Sequence, residues 1–137
     1  MAAGLLGAVA LSVAAACGDD DSDDGAGAVR VTMSDELRFE PDELRVKAGE
    51  PVVLVLDNSD GSTLHDFTVD EMPVMDVDES MGAEHEMGES MAALHMAMDA
   101  GDSGEMRFTP MEPGEYEFYC SVTGHAQAGM RGKLIVE

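Results

Sequence analysis

Short β-rich segments separated by turn residues run from Val29 to the end of the chain, and this pattern restricts the fold more than any other feature. Apolar and polar residues alternate in most of these segments, and Gly, Pro, Asn and Asp cluster between them. Period-two alternation bounded by turn residues indicates strands rather than helices. We therefore expect an all-β fold, a Greek-key sandwich or barrel of about seven or eight strands. The predicted strands are residues 29–33, 44–46, 52–56, 64–69, 105–109, 115–119 and 132–136.

The N-terminal part of the chain differs in composition from the rest. Residues 1–16 are apolar and uncharged, a length that is short for a membrane-spanning helix and typical of a signal-peptide core. Small residues precede Cys17, which resembles a bacterial lipobox. The resemblance implies a signal peptide over residues 1–17 and lipidation of Cys17, with the several acyl chains that stable anchoring requires. The alternative is an ordinary cleaved signal in which Cys17 is incidental.

An acidic segment separates this leader from the predicted domain at residues 29–137. Residues 18–28 contain five Asp and three Gly, so we expect a flexible, self-repelling linker. The whole chain has 29 acidic and 7 basic residues and a formal net charge of −22. This charge argues against binding to nucleic acid or anionic lipid headgroups. It favours a protein partner with a basic docking surface.

A methionine-rich insertion at residues 71–101 interrupts the strand pattern. It contains seven of the 12 methionines, two of the four histidines and no Lys or Arg. Helical spacing within it predicts a partly helical flap across the outside of the barrel, with residues 72–82 as irregular loop. Met87, Met91, His95 and Met98 on this face could also bind Cu(I), because thioethers are soft ligands. Such a site would be secondary to the candidate site described next. Packing on the barrel, with Leu94 in the same stripe, is the commoner fate of such a pattern.

The strongest chemical signal is a C-x4-H-x4-M motif formed by Cys120, His125 and Met130 between two predicted strands. His65 opens an earlier strand and is the candidate for a ligand from the other side. Two imidazoles, one thiolate and a weak thioether are the donor set of blue-copper sites. Each residue alone has a simpler explanation as surface or core packing. Structural zinc rarely takes Met, and a binuclear copper centre would need a second loop Cys.

These residues resemble the cupredoxin family, the plastocyanin and azurin class. The spacing of the C-terminal loop is more similar to auracyanin, rusticyanin and sulfocyanin than to plastocyanin. Relatives often have Pro before the Gly-His pair, where this chain has Thr123. The similar stretches are Phe39-x-Pro41, Leu44-x-Val46-x-Ala48-Gly49, residues 52–58, His65-Asp66-Phe67, and the ordered set Cys120, Gly124-His125, Gly129-Met130 and Gly132.

The resemblance implies a cupredoxin sandwich with the flap inserted before the last strands. It also implies one mononuclear type 1 copper with His65, Cys120 and His125 as equatorial ligands and Met130 as the axial ligand. The backbone N–H of Asp66 is expected to donate to the Cys120 sulfur.

The resulting prediction is a monomeric one-electron carrier without substrate turnover. We expect it to be exported, at the outer face of the cytoplasmic membrane or in the periplasm, with a lipid anchor as its only membrane contact. Small residues beside His125 indicate that electrons leave through its ring edge. Two alternatives remain open: copper trafficking or storage, in which the flap matters more than the barrel, and a small copper oxidoreductase or sensor module.

Overall fold

The computed structural model describes residues 27–81 and 91–137. These residues form ten β-strands in two five-stranded sheets, and no helix occurs among them. The all-β prediction is confirmed, and β2, β6 and β7 add to the predicted strands. The strands are β1 (Ala28–Ser34), β2 (Arg38–Glu40), β3 (Glu43–Val46), β4 (Val52–Asp57), β5 (His65–Val69), β6 (Val74–Met81), β7 (Leu94–Met98), β8 (Ser103–Pro110), β9 (Gly114–Tyr119) and β10 (Arg131–Val136).

The chain crosses repeatedly between the two sheets. The first sheet has the order β2-β1-β4-β8-β6 and the second the order β3-β10-β9-β5-β7. Strands β1 and β4 pair in parallel, as do β3 and β10, and the other pairs are antiparallel. Neighbours that are distant in sequence are what a Greek-key sandwich requires.

The inward-facing residues of both sheets form one core. In β4, Val52, Leu54 and Leu56 are buried, whereas the alternate Val53 and Val55 are half-buried. This alternation arises because successive side chains of a strand point to opposite faces of the sheet. The sequence pattern of β4 therefore places one apolar face between the sheets.

Three aromatic rings connect strand β2 to β5 and β9. Phe67 stacks on Phe118 with ring centroids 4.7 Å apart, and Phe39 packs edge-on against Phe118 at 5.1 Å. Phe67 lies two residues after His65, and Phe118 lies two residues before Cys120. The cluster thus holds in place the two strand ends that carry these candidate ligands.

The predicted helical flap is wrong for the described residues. Strand β7 occupies part of it and pairs with β5 over five residues. The side chains of β7 alternate between buried and half-buried, which is the period of a strand. The methionine spacing alone was compatible with a helix, but pairing with β5 satisfies backbone groups that would otherwise remain unpaired at the edge of a buried strand.

The irregular loop predicted over residues 72–82 is also wrong, because most of it is strand β6, paired with β8. The pairing is irregular between Met75 and Asp78, where Asp76 adopts a positive φ of 54°.

Met87 lies outside the described residues, as do the predicted signal peptide with Cys17 and most of the acidic linker. In the part of the chain that is described, no helix is long and apolar enough to cross a membrane.

Candidate metal centre

The connection between β9 and β10 is a compact loop closed by its own backbone hydrogen bonds. The N–H of Cys120 donates to the carbonyl of Met130 (3.1 Å), and the N–H of Met130 donates to the carbonyl of His125 (3.0 Å). Gly124 and Gly129 adopt positive φ values of 89° and 111°, a region that favours glycine. The loop therefore holds the three residues of the motif together through their main chain.

The structure brings the predicted equatorial ligands to one point. Nδ1 of His65 lies 3.2 Å from Nδ1 of His125, and the Cys120 Sγ lies 3.4 Å from the same nitrogen of His125. The three candidate ligand atoms are all within 4.8 Å of one another. Met130 is fully buried, and its backbone joins it to both loop ligands.

These distances fit a single metal ion. Two nitrogens bound at about 2.0–2.1 Å to one ion lie roughly 3.3–3.6 Å apart at tetrahedral to trigonal angles, taking zinc bond lengths as a guide. The observed separation of 3.2 Å is close to that range. A set of two imidazoles and one thiolate, with a buried Met in the same loop, fits copper better than a hard cation.

Burial shifts the pKa values of the two fully buried donors, Cys120 and His65. It raises the pKa of the Cys120 thiol, although N–H groups of Asp66 and Val122 act in the opposite direction. It also lowers the pKa of His65, and the nearby His125 lowers it further. A neutral imidazole is what a metal requires, whereas the thiol must lose its proton when a metal binds.

The expected hydrogen bond to the sulfur is confirmed. The N–H of Asp66 donates to the Cys120 Sγ over 3.4 Å in the buried interior. Because a sulfur ligand that accepts a hydrogen bond carries less free charge, such contacts tune the redox potential of thiolate-bound copper.

The side chain of Asp66 forms a network that the sequence analysis missed. Its carboxylate accepts hydrogen bonds from the N–H of Ser121 (2.6 Å) and the hydroxyl of Thr68 (3.2 Å), and it lies 3.7 Å from Nε2 of His95. Burial alone would raise the pKa of Asp66, but His95 and Ser121 outweigh it and leave the pKa lowered. The one sequence signal was position, since Asp66 and Ser121 each follow a candidate ligand.

The secondary Cu(I) site is not assembled in the described residues. Met91 is fully exposed, at 102% relative accessibility, and Met98 is buried in the core. His95 is half-buried and faces the opposite side of β7 from Met98, because residues three apart on a strand point in opposite directions. The Asp66 carboxylate, 3.7 Å from Nε2, raises the pKa of His95, although burial opposes this. Among the candidates, His95 therefore serves the Asp66 network instead.

Comparison with curated proteins identifies two copper proteins as relatives. The chain is 35% identical over 114 residues to the copper-resistant cuproprotein CopI of Rubrivivax gelatinosus, covering 79% of this chain and 65% of that protein. It is 31% identical over 145 residues to CopI of Pseudomonas aeruginosa, covering 80% of this chain and 75% of that protein. The chain thus spans just under two thirds of the length of the first relative.

Solved structures share the fold at lower identity. Auracyanin A of Chloroflexus aurantiacus, a blue copper protein, superimposes with a TM-score of 0.61 at 20% identity, covering 82% of this chain and all of that one (100%). A multi-copper oxidase of Pediococcus acidilactici gives a TM-score of 0.61 at 15% identity, covering 93% of this chain and 28% of that one. The family model for the cupredoxin-like domain matches residues 7–136. This match, together with the fold and the convergence of the three donor groups, shows that the chain belongs to the cupredoxin-like domain family.

Proposed function

We propose that this chain is a type 1 copper protein that carries one electron at a time between redox partners. The observation that supports it most is the convergence of His65 Nδ1, His125 Nδ1 and Cys120 Sγ within 4.8 Å. These three residues would hold the ion, and the buried Met130 would be its axial ligand. This donor set is that of blue-copper electron-transfer sites.

Copper bound here would supply reversible exchange of one electron between its Cu(II) and Cu(I) states. The chain supplies the rigidity that makes such exchange fast. Loop hydrogen bonds hold Cys120 and Met130, the N–H of Asp66 orients the sulfur, and burial keeps water away. A site whose ligands are already fixed has little to rearrange when its charge changes.

The same arrangement supports electron transfer without substrate turnover. Catalytic metal sites keep an open coordination position. Here His65, Cys120 and Met130 are fully buried, and only His125 is partly accessible. The copper oxidase that shares the fold does so at 15% identity, which supports the architecture alone.

The half-buried His125 is the proposed exit for electrons. Its neighbours Gly124 and Ala128 are exposed and small, so its ring edge lies closest to an approaching partner. Leu64, 41% exposed and adjacent to His65, adds an apolar contact at the same end.

The charge of this end favours a basic redox protein as the partner of a monomeric carrier. Hydrogen bonds from Ser62 to Asp35 and from Asn58 to the carbonyl of Asp99 join the turns around the site. These turns and the ligand loop contain no Lys or Arg, and the Arg131 guanidinium, which donates to the carbonyl of Ala126 in the loop, is paired with Glu117. Complementary charge would steer association and would weaken as salt is added. The acidic residues at this end are Asp35, Glu36, Asp60, Asp99 and Asp102.

We also propose that the protein acts outside the cytoplasm, at the outer face of the cytoplasmic membrane or in the periplasm. The apolar residues 1–16 and the lipobox-like position of Cys17 support export and a lipid anchor. Replacing Cys17 by Ala should release the protein from membranes into the soluble fraction. Retention on the membrane after that change would contradict the anchor.

The test of the copper site is an optical spectrum of the Cu(II)-loaded protein. The wild type should show an intense blue thiolate charge-transfer band that disappears on reduction and returns on oxidation. Cys120→Ser should lose the band completely, whereas Ser121→Ala, a control one residue away, should keep it. A coloured Cys120→Ser variant, or a colourless wild type, would overturn the proposal.

A second candidate, copper trafficking or storage, is favoured by the name of the two relatives, copper-resistant cuproprotein. It predicts tight Cu(I) binding that does not depend on Cys120. Competition of Cys120→Ser with a Cu(I) chelator separates the two functions. A pure electron carrier should show no residual tight Cu(I), and a trafficking protein should keep at least one ion.

A further inference from the structure

His65 has a second ring nitrogen whose situation the donor set does not explain. Its Nδ1 faces His125, whereas its Nε2 points away, is completely buried, and has no hydrogen-bond partner. Buried polar groups without partners are rare in folded proteins and call for a specific explanation.

Among the described residues, the acid within 4 Å of this nitrogen is Asp35, in the turn between β1 and β2. Its Oδ1 lies 3.7 Å from His65 Nε2, slightly longer than a hydrogen bond. The carboxylate is already held in place, because it accepts from the N–H of Ser62 (2.9 Å) and from the Ser62 hydroxyl (2.6 Å). These bonds from Ser62 lower the pKa of Asp35, so the group is an anion at neutral pH.

The tautomer that His65 needs for metal binding explains what the contact with Asp35 would do. A neutral imidazole carries one proton, and a ring that binds a metal through Nδ1 must carry that proton on Nε2. The resulting Nε2–H is buried and needs an acceptor, and Asp35 is the carboxylate that faces it. A shortening of the contact by a few tenths of an ångström would complete the bond.

We propose that Asp35 is a positioning residue for the metal centre, whose carboxylate accepts the Nε2–H of His65 and so fixes the tautomer and the ring orientation of that ligand. The proposal deepens the copper function above and rests on His65 being a ligand through Nδ1. Carboxylates behind metal-bound histidines raise the basicity of the ligating nitrogen. Asp35 should therefore strengthen the binding of Cu(II) more than that of Cu(I).

The copper test compares two variants that each remove one negative charge. Asp35→Asn removes the anionic acceptor, whereas Glu36→Gln removes a charge from the neighbouring exposed residue, for which the structure gives no contact with His65. Asp35→Asn should weaken Cu(II) affinity by about 10- to 100-fold. Each tenfold loss specific to Cu(II) raises the reduction potential by about 59 mV. Both side chains are exposed, so Glu36→Gln should change both quantities much less only because Glu36 lacks the 3.7 Å approach to His65 Nε2 that Asp35 makes.

A second measurement needs no metal. Nitrogen-15 chemical shifts of the His65 ring in the apoprotein report which nitrogen carries the proton. The wild type should have it on Nε2, and Asp35→Ala should lose this preference while far-ultraviolet circular dichroism confirms an intact fold. A purely structural role for Asp35 would leave the tautomer unchanged.

The outcomes separate this proposal from the copper function. Equal potential shifts in Asp35→Asn and Glu36→Gln, or a wild-type ring protonated on Nδ1, would each overturn the role of Asp35 even if the protein is blue. A colourless wild type would instead overturn the copper function, and the tautomer measurement would still decide whether Asp35 orients His65.

Discussion

The ligand loop and strand β7 are both built from His, Met and small residues, yet they arrange them in opposite ways. In the loop, backbone hydrogen bonds turn the chain back on itself, so Cys120 and His125 converge and Met130 is joined to both through its main chain. In β7, the extended backbone sends alternate side chains to opposite faces, so His95 and Met98 diverge. A cluster of potential ligands in sequence therefore becomes a site only where the local backbone closes around it.

The two regions also differ in what their side chains contribute. The loop residues carry the proposed chemistry, and β7 covers the adjacent edge of β5, which holds His65. The inner face of β7 supplies core methionines, and its outer face supplies His95 to the Asp66 network. The methionine-rich segment, where it is described, thus supports the strands and the network around His65 and Cys120. It does not form a second metal site there.

The largest effect should distinguish two methionines of this segment. Met98→Ala should destabilise the apoprotein by about 2–5 kcal/mol, because it leaves a cavity in the core. Met91→Ala should change stability by less than about 0.5 kcal/mol, because Met91 is fully exposed. Urea unfolding measures both, and similar values for the two variants would indicate that they share one packed stripe after all.

The next effect concerns the network behind the sulfur. Asp66→Ala should cost about 1.5–3 kcal/mol of apoprotein stability, because donors such as Ser121 lose a buried charged acceptor. Asp66→Asn should cost less, since its amide oxygen still accepts. Asp70→Ala, which removes only a surface partner of the Tyr119 hydroxyl, is the control and should cost below about 1 kcal/mol. An Asp66→Ala variant as stable as the control would show that the network does not stabilise the folded apoprotein.

The rate of electron exchange tests whether electrons leave through His125. A bulky residue at Ala128, as in Ala128→Phe, should slow self-exchange without altering the optical spectrum, because it covers the approach to His125. The same change at Val77, exposed on β6, should have no effect. Nuclear magnetic resonance line broadening in mixtures of the oxidised and reduced protein gives the rate. Unchanged exchange in Ala128→Phe would argue for an exit elsewhere.

The smallest effect should be a pH dependence at His95. Its pKa is raised by Asp66, and Glu79 also faces it, so the folded state holds the His95 proton more tightly than the unfolded chain. This stabilisation is fully present below the unfolded pKa of about 6.5 and is lost as pH rises through the folded pKa. His95→Gln should therefore cost up to about 1 kcal/mol at pH 5.5 and less at pH 9, as measured by urea unfolding of the apoprotein. A cost independent of pH would contradict the ion pair.

The parts of the site that the sequence predicted are those with local signals. Cys120 and His125 lie within one loop bounded by strands, and His65 begins a recognisable strand, so donor type and order were enough to predict the three groups that the structure brings together. Met130 as a ligand stays a prediction. Asp35 carries no such signal, and the signal at Asp66 was only its position directly after His65. Asp35 lies 30 residues before His65 in the chain, and only the pairing of the β1–β2 turn with Ser62 brings its carboxylate to the ring.

The sequence by itself determined the all-β class and pointed to His65, Cys120 and His125 as one cluster, because strand alternation and ligand chemistry are local properties of the chain. Tertiary structure alone decided that residues 94–98 form a strand, since only the exposed edge of β5 distinguishes a strand from a helix at that methionine spacing. It likewise decided which carboxylates stand behind His65 and Cys120. Those contacts join residues about 30 and 55 positions apart, a separation at which sequence pattern carries no information on distance.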